Sequence, residues 1–268
     1  MTSHFNLLDP VVRRAIKNGQ NPDVARKWER TWYNVDQAKT QLRMVDTAPS
    51  GSLSSQDKRL QQLLRRMLME QQDPRPVGMP PHPSALQALK NSHPNFAEVV
   101  DHVLAQQALM RTRHALPRRL QPMLLLGSPG IGKTSFVQAL AAAMQVSQRT
   151  VAMNNATAGF LLAGLDRGWA TGKEGLVFSL LQQSNTLNPL VLLDEVDKAQ
   201  SNEKTEPLAP LYQLLEVHTA RQFRDEFLDV EVNASFITWV ASAGSSSRRR
   251  AGSRLCRGGV RSARFGRA

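Results

Sequence analysis

This sequence of 268 residues has a single cysteine, no long apolar run and an uneven distribution of charge. Its one cysteine, Cys256, excludes an internal disulfide and is typical of a reducing compartment, so we expect a cytoplasmic location. No apolar run approaches the ~20 residues that a membrane-spanning helix needs. The N-terminus also lacks the basic-then-apolar order of a signal peptide. We therefore expect no membrane partner.

The positive charge is concentrated at the C-terminal end. Residues 245–268 contain eight arginines and neither Asp nor Glu, which leaves +4 of the +12 net charge for the first 244 residues. This tail is mostly Ser, Arg, Gly and Ala without periodicity, which predicts disorder. Three interpretations are open: a basic arm that binds nucleic acid, a solvated extension without a role, and out-of-frame translation of a GC-rich gene. We expect a nucleic-acid partner only through this tail.

Two segments of linker composition lie in the N-terminal part of the chain. Residues 47–56 are rich in Ser, and residues 73–83 contain too many prolines for a regular helix or strand. Between them, apolar residues from Leu60 to Leu68 recur at helical spacing, which predicts a helix that packs against the core or a partner helix. We predict an α-helical N-terminal extension over residues 1–83.

A compact α/β domain is predicted for residues 84–244. Short apolar runs alternate with helical stretches, the first two of which are residues 85–91 and 95–110. This alternation favours a parallel sheet flanked by helices, with ligands at the carboxyl ends of the strands. The runs predicted as strands are residues 123–126, 150–153, 190–193 and 236–241.

The most specific motif of the chain, Gly-Ser-Pro-Gly-Ile-Gly-Lys-Thr at residues 127–134, directly follows the first of these runs. In a strand–loop–helix context, its glycines let backbone N–H groups surround a phosphate at the start of the helix. Lys133 would reach the β- and γ-phosphates, and the Thr134 hydroxyl would ligate Mg²⁺. The alternative is a glycine-rich turn that ends a helix. We predict a nucleoside-triphosphate site formed by Gly127, Ser128, Pro129, Gly130, Ile131, Gly132, Lys133 and Thr134.

A second motif follows the apolar run at residues 190–193. Asp194 and Glu195 come at the end of this predicted strand, where side chains reach the ligand crevice. We expect Asp194 to hold Mg²⁺ and Glu195 to orient the attacking water. The alternative is that both carboxylates only begin a solvated loop.

Together the two motifs resemble Walker A and Walker B of the AAA+ ATPases. The surrounding residues, above all 188–198 with Leu214–Glu216, Phe223, Asp225 and 236–241, resemble the ATPase module of Lon proteases over about residues 92–243. The resemblance implies a P-loop NTPase fold, binding of ATP and Mg²⁺, and a homo-hexamer. It also implies ATP hydrolysis that is coupled to remodelling or unfolding of a protein partner.

The resemblance assigns three further residues. Trp169 and Ala170 occupy the place of the pore-loop pair that grips a substrate polypeptide, although packing of Trp169 against the domain is the alternative. Phe96, in the segment His93–Phe96, occupies the place of the adenine contact.

The sequence also departs from the Lon pattern. Gly244 stands where the family has its sensor-1 asparagine, and no arginine finger, fifth core strand, helical lid or Ser–Lys peptidase dyad is recognisable. Three functions are therefore compared: a protein-remodelling ATPase without peptidase activity, a module that binds ATP but hardly hydrolyses it, and a nucleic-acid-associated AAA+ protein.

Overall fold

The computed structural model describes residues 29–49, 53–70, 75–78, 81–112, 119–153, 158–199, 209–244 and 261–264. Its first elements are β1 (Glu29–Arg30), α1 (Val35–Asp46), α2 (Ser55–Glu70), β2 (Arg75–Pro76), α3 (Pro83–Ser92) and α4 (Ala97–Thr112). They are followed by β3 (Met123–Leu126), α5 (Lys133–Met144), β4 (Gln148–Ala152), α6 (Ala158–Ala163), α7 (Leu176–Gln183) and β5 (Leu190–Asp194). The last are α8 (Ala209–Leu215), α9 (Val217–Ala220), β6 (Phe223–Asp225), β7 (Val230–Val232), β8 (Thr238–Ala243) and β9 (Arg261–Arg264).

A five-stranded sheet in the order β4-β5-β8-β3-β9 organises the domain. All of its neighbouring strands pair in parallel, so the predicted α/β architecture is confirmed. Strand β3 has the predicted bounds, whereas β8 lies two residues later than its apolar run. The carboxyl ends of β3, β5 and β8 therefore lie at the same edge of the sheet.

The apolar runs are continuous because both faces of the sheet are covered. Successive side chains of β3 alternate between two buried clusters: Leu124 and Leu126 belong to one, Met123 and Leu125 to the other. Strand β5 alternates in the same way. A single-faced sheet would instead show alternating polar residues, which neither strand has.

The N-terminal helices share one of these two clusters. Leu60, Leu64 and Met67 of α2 are fully buried in it, as predicted from their helical spacing. The Tyr33 hydroxyl donates a hydrogen bond of 2.8 Å to the Met67 carbonyl, and the Tyr33 backbone forms a β-bridge with Val232, the last residue of β7. The described part of the N-terminal extension thus packs directly on the sheet domain.

The proline-rich segment is more regular than its composition predicts. Strand β2 pairs with β1, an edge position that tolerates Pro76. The Arg75 guanidinium donates 3.0 Å bonds to the carbonyls of Gln182 and Ser184 at the end of α7 and lies 5.0 Å from the Trp32 ring centroid. Arg75 therefore caps α7 and holds this segment in place. The proline-rich composition of the segment did not predict these contacts.

The fifth strand of the sheet is β9, which lies beside β3. The sequence showed no such strand, because Arg261–Arg264 has no apolar run, yet these residues pair with β3 in parallel. The remainder of the tail and residues 1–28 lie outside the described residues, so the disorder and the helix predicted there stay predictions.

Among the described helices, none combines the length and apolar character needed to cross a bilayer.

Candidate functional site

The glycine loop connects β3 to α5 as the sequence predicts. Gly130 and Gly132 have φ angles of 81° and 90°, a left-handed conformation that non-glycine residues rarely adopt. Their glycine identity is thus a backbone requirement, since a Cβ at either position would meet no atom within 4 Å. The loop is tied to the sheet by a 3.2 Å bond from the Gly127 N–H to the Ala243 carbonyl of β8.

Lys133 is the first residue of α5, and its side chain folds back over the loop. Its ammonium donates to the carbonyls of Gly127 at 2.8 Å and Ser128 at 3.1 Å. Partial burial lowers the pKa of Lys133, and the carboxylates of Asp194, Asp197 and Glu195 oppose this shift. A cation is thus held beside the first N–H groups of a helix, a place where an anion is favoured.

The acidic pair lies at the end of β5, next to the glycine loop. Asp194 is the last strand residue and half-buried, and Glu195 follows it with a left-handed φ of 57°. The Glu195 carboxylate forms an ion pair with the Lys198 ammonium, which raises the pKa of Lys198. The turn places both carboxylates at the same sheet edge as Lys133.

Strand β8 and the residue directly after it complete this edge with one side chain and one backbone group. The buried Ser242 hydroxyl donates to Asp194 Oδ1 and accepts a 3.2 Å bond from the Glu195 N–H. The Gly244 N–H donates to Asp197 Oδ2 at 3.3 Å. Sequence reasoning missed Ser242, although a polar residue directly after the predicted strand of residues 236–241 was a usable signal.

These groups surround one cleft of about 350 Å³, a size within the range of small-ligand sites. Donors, a cation, a hydroxyl and carboxylates converge there, which is the donor set that a phosphate and a magnesium ion require. The cleft is lined by Pro129, Gly130, Gly132, Lys133, Thr134, Ser135, Asp194, Glu195, Asp197, Lys198, Ser242, Ala243 and Gly244.

Phe96 lies elsewhere. Its ring is 1% exposed and stacks on Phe136 of α5 at a centroid distance of 4.4 Å, and it does not line the cleft. The neighbouring His93 is less buried and places Nε2 3.4 Å from the Ser135 hydroxyl, at the edge of the cleft. Contact between Phe96 and an adenine base stays a prediction.

Trp169 lies at the tip of a loop between α6 and α7, away from the cleft lining. Its side chain is 65% exposed, so it does not pack in the core. The loop is closed by reciprocal backbone bonds between Leu165 and Lys173, and the Ala170 carbonyl accepts a 2.6 Å bond from Gln56 of α2. The loop thus presents an aromatic side chain to solvent from a fixed base.

The base of this loop depends on a buried carboxylate. Asp225 Oδ2 accepts a 2.8 Å bond from the Gly175 N–H, and its Oδ1 accepts bonds from the N–H groups of Phe227 and Leu228. Gly175 has no room for a side chain, because a Cβ would lie 2.4 Å from the Leu162 carbonyl oxygen. Burial raises the pKa of Asp225 to about 7.

The parallel sheet, the glycine loop after the interior strand β3 and the paired carboxylates at the end of β5 define a P-loop nucleotide-binding domain. Residues 123–246 match the family described as "ATPase family associated with various cellular activities (AAA)". Lon protease of Frankia alni is 30% identical over 167 residues, which cover 60% of this chain and 19% of that protein. The mitochondrial Lon protease homolog of Yarrowia lipolytica is 30% identical over 166 residues, 62% of this chain and 14% of that protein.

A third relative, the peroxisomal Lon protease homolog 2 of Caenorhabditis briggsae, is 29% identical over 164 residues. That alignment covers 61% of this chain and 21% of the relative. Over residues 123–246 the chain is therefore similar to the AAA family of ATPases, and the relatives named above are Lon proteases and Lon protease homologs. It spans about a fifth or less of the length of these relatives.

Proposed function

We propose that this chain binds ATP with Mg²⁺ and hydrolyses it. The observation that carries the proposal is the convergence of Lys133, Thr134, Asp194 and Glu195 on one cleft, although they come from two separate segments of the chain. The AAA match supports the same proposal. Peptidase activity is not part of it.

Each side chain has a distinct task in this proposal. Lys133 exchanges its two loop carbonyls for the β- and γ-phosphate oxygens, while the first N–H groups of α5 bind the same anion. Thr134 and the second carboxylate oxygen of Asp194 would hold Mg²⁺, which would supply positive charge against the developing phosphate charge. Glu195 accepts a proton from the attacking water after its carboxylate leaves Lys198.

Glu195→Gln separates binding from hydrolysis. Glutamine keeps the size of the side chain but cannot accept the proton of water, so we expect turnover to fall about a hundredfold. ATP affinity should change less than about threefold. Fluorescence titration with an N-methylanthraniloyl (mant) derivative of ATP and a phosphate-release assay measure the two quantities.

Glu231→Gln is the matched control, because it removes the same charge from β7. Glu231 lies outside the cleft lining, and its replacement should leave both quantities unchanged. Wild-type turnover that Glu195→Gln preserves would contradict the role given to Glu195. Absence of ATP binding by the wild-type chain would overturn the proposed function itself.

We further propose that hydrolysis is coupled to remodelling of a protein partner by a cytoplasmic homo-hexamer. The exposed Trp169 at the tip of a braced loop supports this step, because a flat aromatic ring can press on any polypeptide without reading its sequence. The Lon relatives support it by resemblance alone. Two of the relatives named above are described as mitochondrial and peroxisomal, so the compartment belongs to the proposal.

Trp169→Ala tests this coupling. Since the side chain is largely exposed, its removal should change the unfolding midpoint little. We expect the stimulation of ATP turnover by unfolded casein to disappear, while turnover without casein stays within about twofold. Trp169→Phe should retain stimulation, because it keeps an aromatic face. Equal stimulation of the alanine variant and the wild type would contradict the threading role.

A second candidate, ATP binding with little turnover, is favoured by two features of the same cleft. Gly244 contributes only backbone, and the Glu195 carboxylate is engaged by Lys198. In that case the wild-type chain would bind mant-ATP tightly, and its phosphate release would equal that of Glu195→Gln.

A further inference from the structure

Ser242 lines the cleft but has no task in the mechanism proposed above. Its hydroxyl nevertheless contacts both acidic residues that do have one. Ser242 is 1% exposed and lies near the carboxyl end of β8, whose Ala241 pairs with Leu193 of β5. From there its hydroxyl reaches both members of the acidic pair: it donates to the Asp194 carboxylate and accepts from the Glu195 backbone. A hydroxyl can fill both roles at once because it is a donor and an acceptor.

The bond to Asp194 has a direct consequence for a cation. With Oδ1 occupied by the Ser242 hydroxyl, the orientation of the carboxylate is fixed and Oδ2 becomes the oxygen available to a ligand. Hydrogen bonds of this outer kind orient metal-binding carboxylates, and their loss typically weakens metal affinity 10- to 100-fold.

The bond to Glu195 acts on the backbone. Glu195 adopts a left-handed φ of 57°, which costs a non-glycine residue free energy unless its surroundings hold it there. The bond from its N–H to Ser242 Oγ is one such contact. It sets the point from which the Glu195 side chain starts and therefore the direction in which its carboxylate extends.

The neighbouring residues of β8 leave this task to Ser242. Ala243, the last residue of β8, and Gly244 directly after the strand also line the cleft, but neither has a polar side chain. Gly244 contributes its backbone N–H to Asp197 instead. Ser242 is therefore the residue of β8 that contributes a polar side chain to the cleft lining.

We propose that Ser242 is a positioning residue, which orients Asp194 for Mg²⁺ and Glu195 for water. This inference rests on the proposed binding of ATP with Mg²⁺. Its first consequence concerns binding and its second concerns turnover, so it can be tested even if the chain hydrolyses ATP slowly.

The test compares Ser242→Thr with Ser242→Val in the full chain. The two replacements have the same shape and both suit a strand, but only threonine keeps the hydroxyl. For the wild type and Ser242→Thr, we expect Mg²⁺ to tighten binding of mant-ADP relative to EDTA. For Ser242→Val, that Mg²⁺-dependent gain should shrink about tenfold while affinity in EDTA stays within twofold.

Kinetics supply the second readout. Where the wild type turns over, Ser242→Val should lower kcat about tenfold with little change in KM in excess Mg²⁺, and Ser242→Thr should restore it. Ser235→Ala is the structural control: it removes another buried serine hydroxyl, bonded to Asn233 Oδ1 at 2.6 Å outside the cleft, and should leave the Mg²⁺ gain intact.

Each result decides one question. Equal Mg²⁺ dependence of Ser242→Thr and Ser242→Val, or no Mg²⁺ dependence in the wild type, would overturn the role of Ser242 while nucleotide binding stands. The same loss in Ser235→Ala would also overturn it, because the effect would then be one of general stability. A wild type that binds no mant-nucleotide refutes the proposed function instead, and the inference with it.

Discussion

Alanine at position 133 is expected to lower the affinity for ATP about a thousandfold. The Lys133 ammonium is partly desolvated, as the lowered pKa indicates, and it lies at the start of α5 beside the glycine loop. Removing one partner of a desolvated charged contact costs ~2–5 kcal/mol, and 4 kcal/mol corresponds to about a thousandfold change in affinity. Titration with mant-ATP in excess Mg²⁺ measures the loss.

Lys198→Ala is the matched control, since Lys198 lines the same cleft and carries the same charge. Its ammonium is more exposed and pairs with Glu195, so we expect its removal to change affinity less than about fivefold. Equal losses in the two variants would show that total charge, and not the position of Lys133, determines binding. Lys133 also bonds the loop carbonyls of Gly127 and Ser128, so its removal could alter the fold. The circular dichroism spectrum of Lys133→Ala must therefore match that of the wild type.

The parts of the fold that the sequence predicts are those in which local patterns and tertiary structure agree. The run from Met123 to Leu126 is apolar at each position because two clusters bury its two faces, so its bounds could be predicted from composition alone. The loop after it needs left-handed glycines at residues 130 and 132, and those glycines are what the motif displays. At these two positions the backbone conformation requires glycine, so the residue type itself predicts the conformation.

Contacts between distant segments could not be predicted in this way. Trp32 and Arg75 join the domain through a ring contact and through carbonyls at the end of α7, and neither interaction leaves a periodic signal in its own segment. The contacts of Ser242 with Asp194 and Glu195 could not be predicted either, because they depend on β5 lying beside β8 in the sheet. Side chains that act across strands become recognisable only when strand order is known.

The Trp169 loop shows how two such distant contacts are combined. On one side, Arg59 of α2 forms a 2.7 Å ion pair with Glu174, and Gln56 binds the Ala170 carbonyl. At the base, Asp225 holds the Gly175 N–H, and the Glu226 N–H donates to the Ala163 carbonyl at 2.8 Å. The loop is therefore held from the N-terminal helices and from the β6–β7 turn, which makes Asp225 a sensitive point of the structure.

Replacing Asp225 should change both the stability of the protein and its dependence on pH. Burial, together with the nearby Glu174 carboxylate, raises the pKa of Asp225 from 3.8 to about 7 against three backbone bonds that favour the charged form. The folded protein then binds this proton more tightly than the unfolded chain. The associated stability is complete below pH 3.8 and is lost as pH rises through about 7, a decrease of roughly 4 kcal/mol.

Asp225→Asn removes this titration and keeps a carbonyl oxygen for the N–H groups of Phe227 and Leu228. The free energy of unfolding of the wild type relative to the asparagine variant should therefore fall from pH 5 to about pH 7 and level off by pH 8. Urea unfolding at four pH values in this range measures the difference. A difference that stays constant across these values would show that the carboxyl titrates in its ordinary range.

Asp225→Ala is the harsher change, because three buried N–H groups then lose their acceptor, each at ~1–3 kcal/mol. At pH 5, where the wild-type carboxyl is mostly neutral, we expect this variant to lose about 4 kcal/mol. Asp166→Ala is the matched control, since Asp166 also accepts a backbone N–H, at 2.7 Å from Gly168, but is exposed and should cost less than ~1 kcal/mol. Similar losses in both variants would contradict the anchoring role of Asp225, because burial is what makes its three bonds irreplaceable by water.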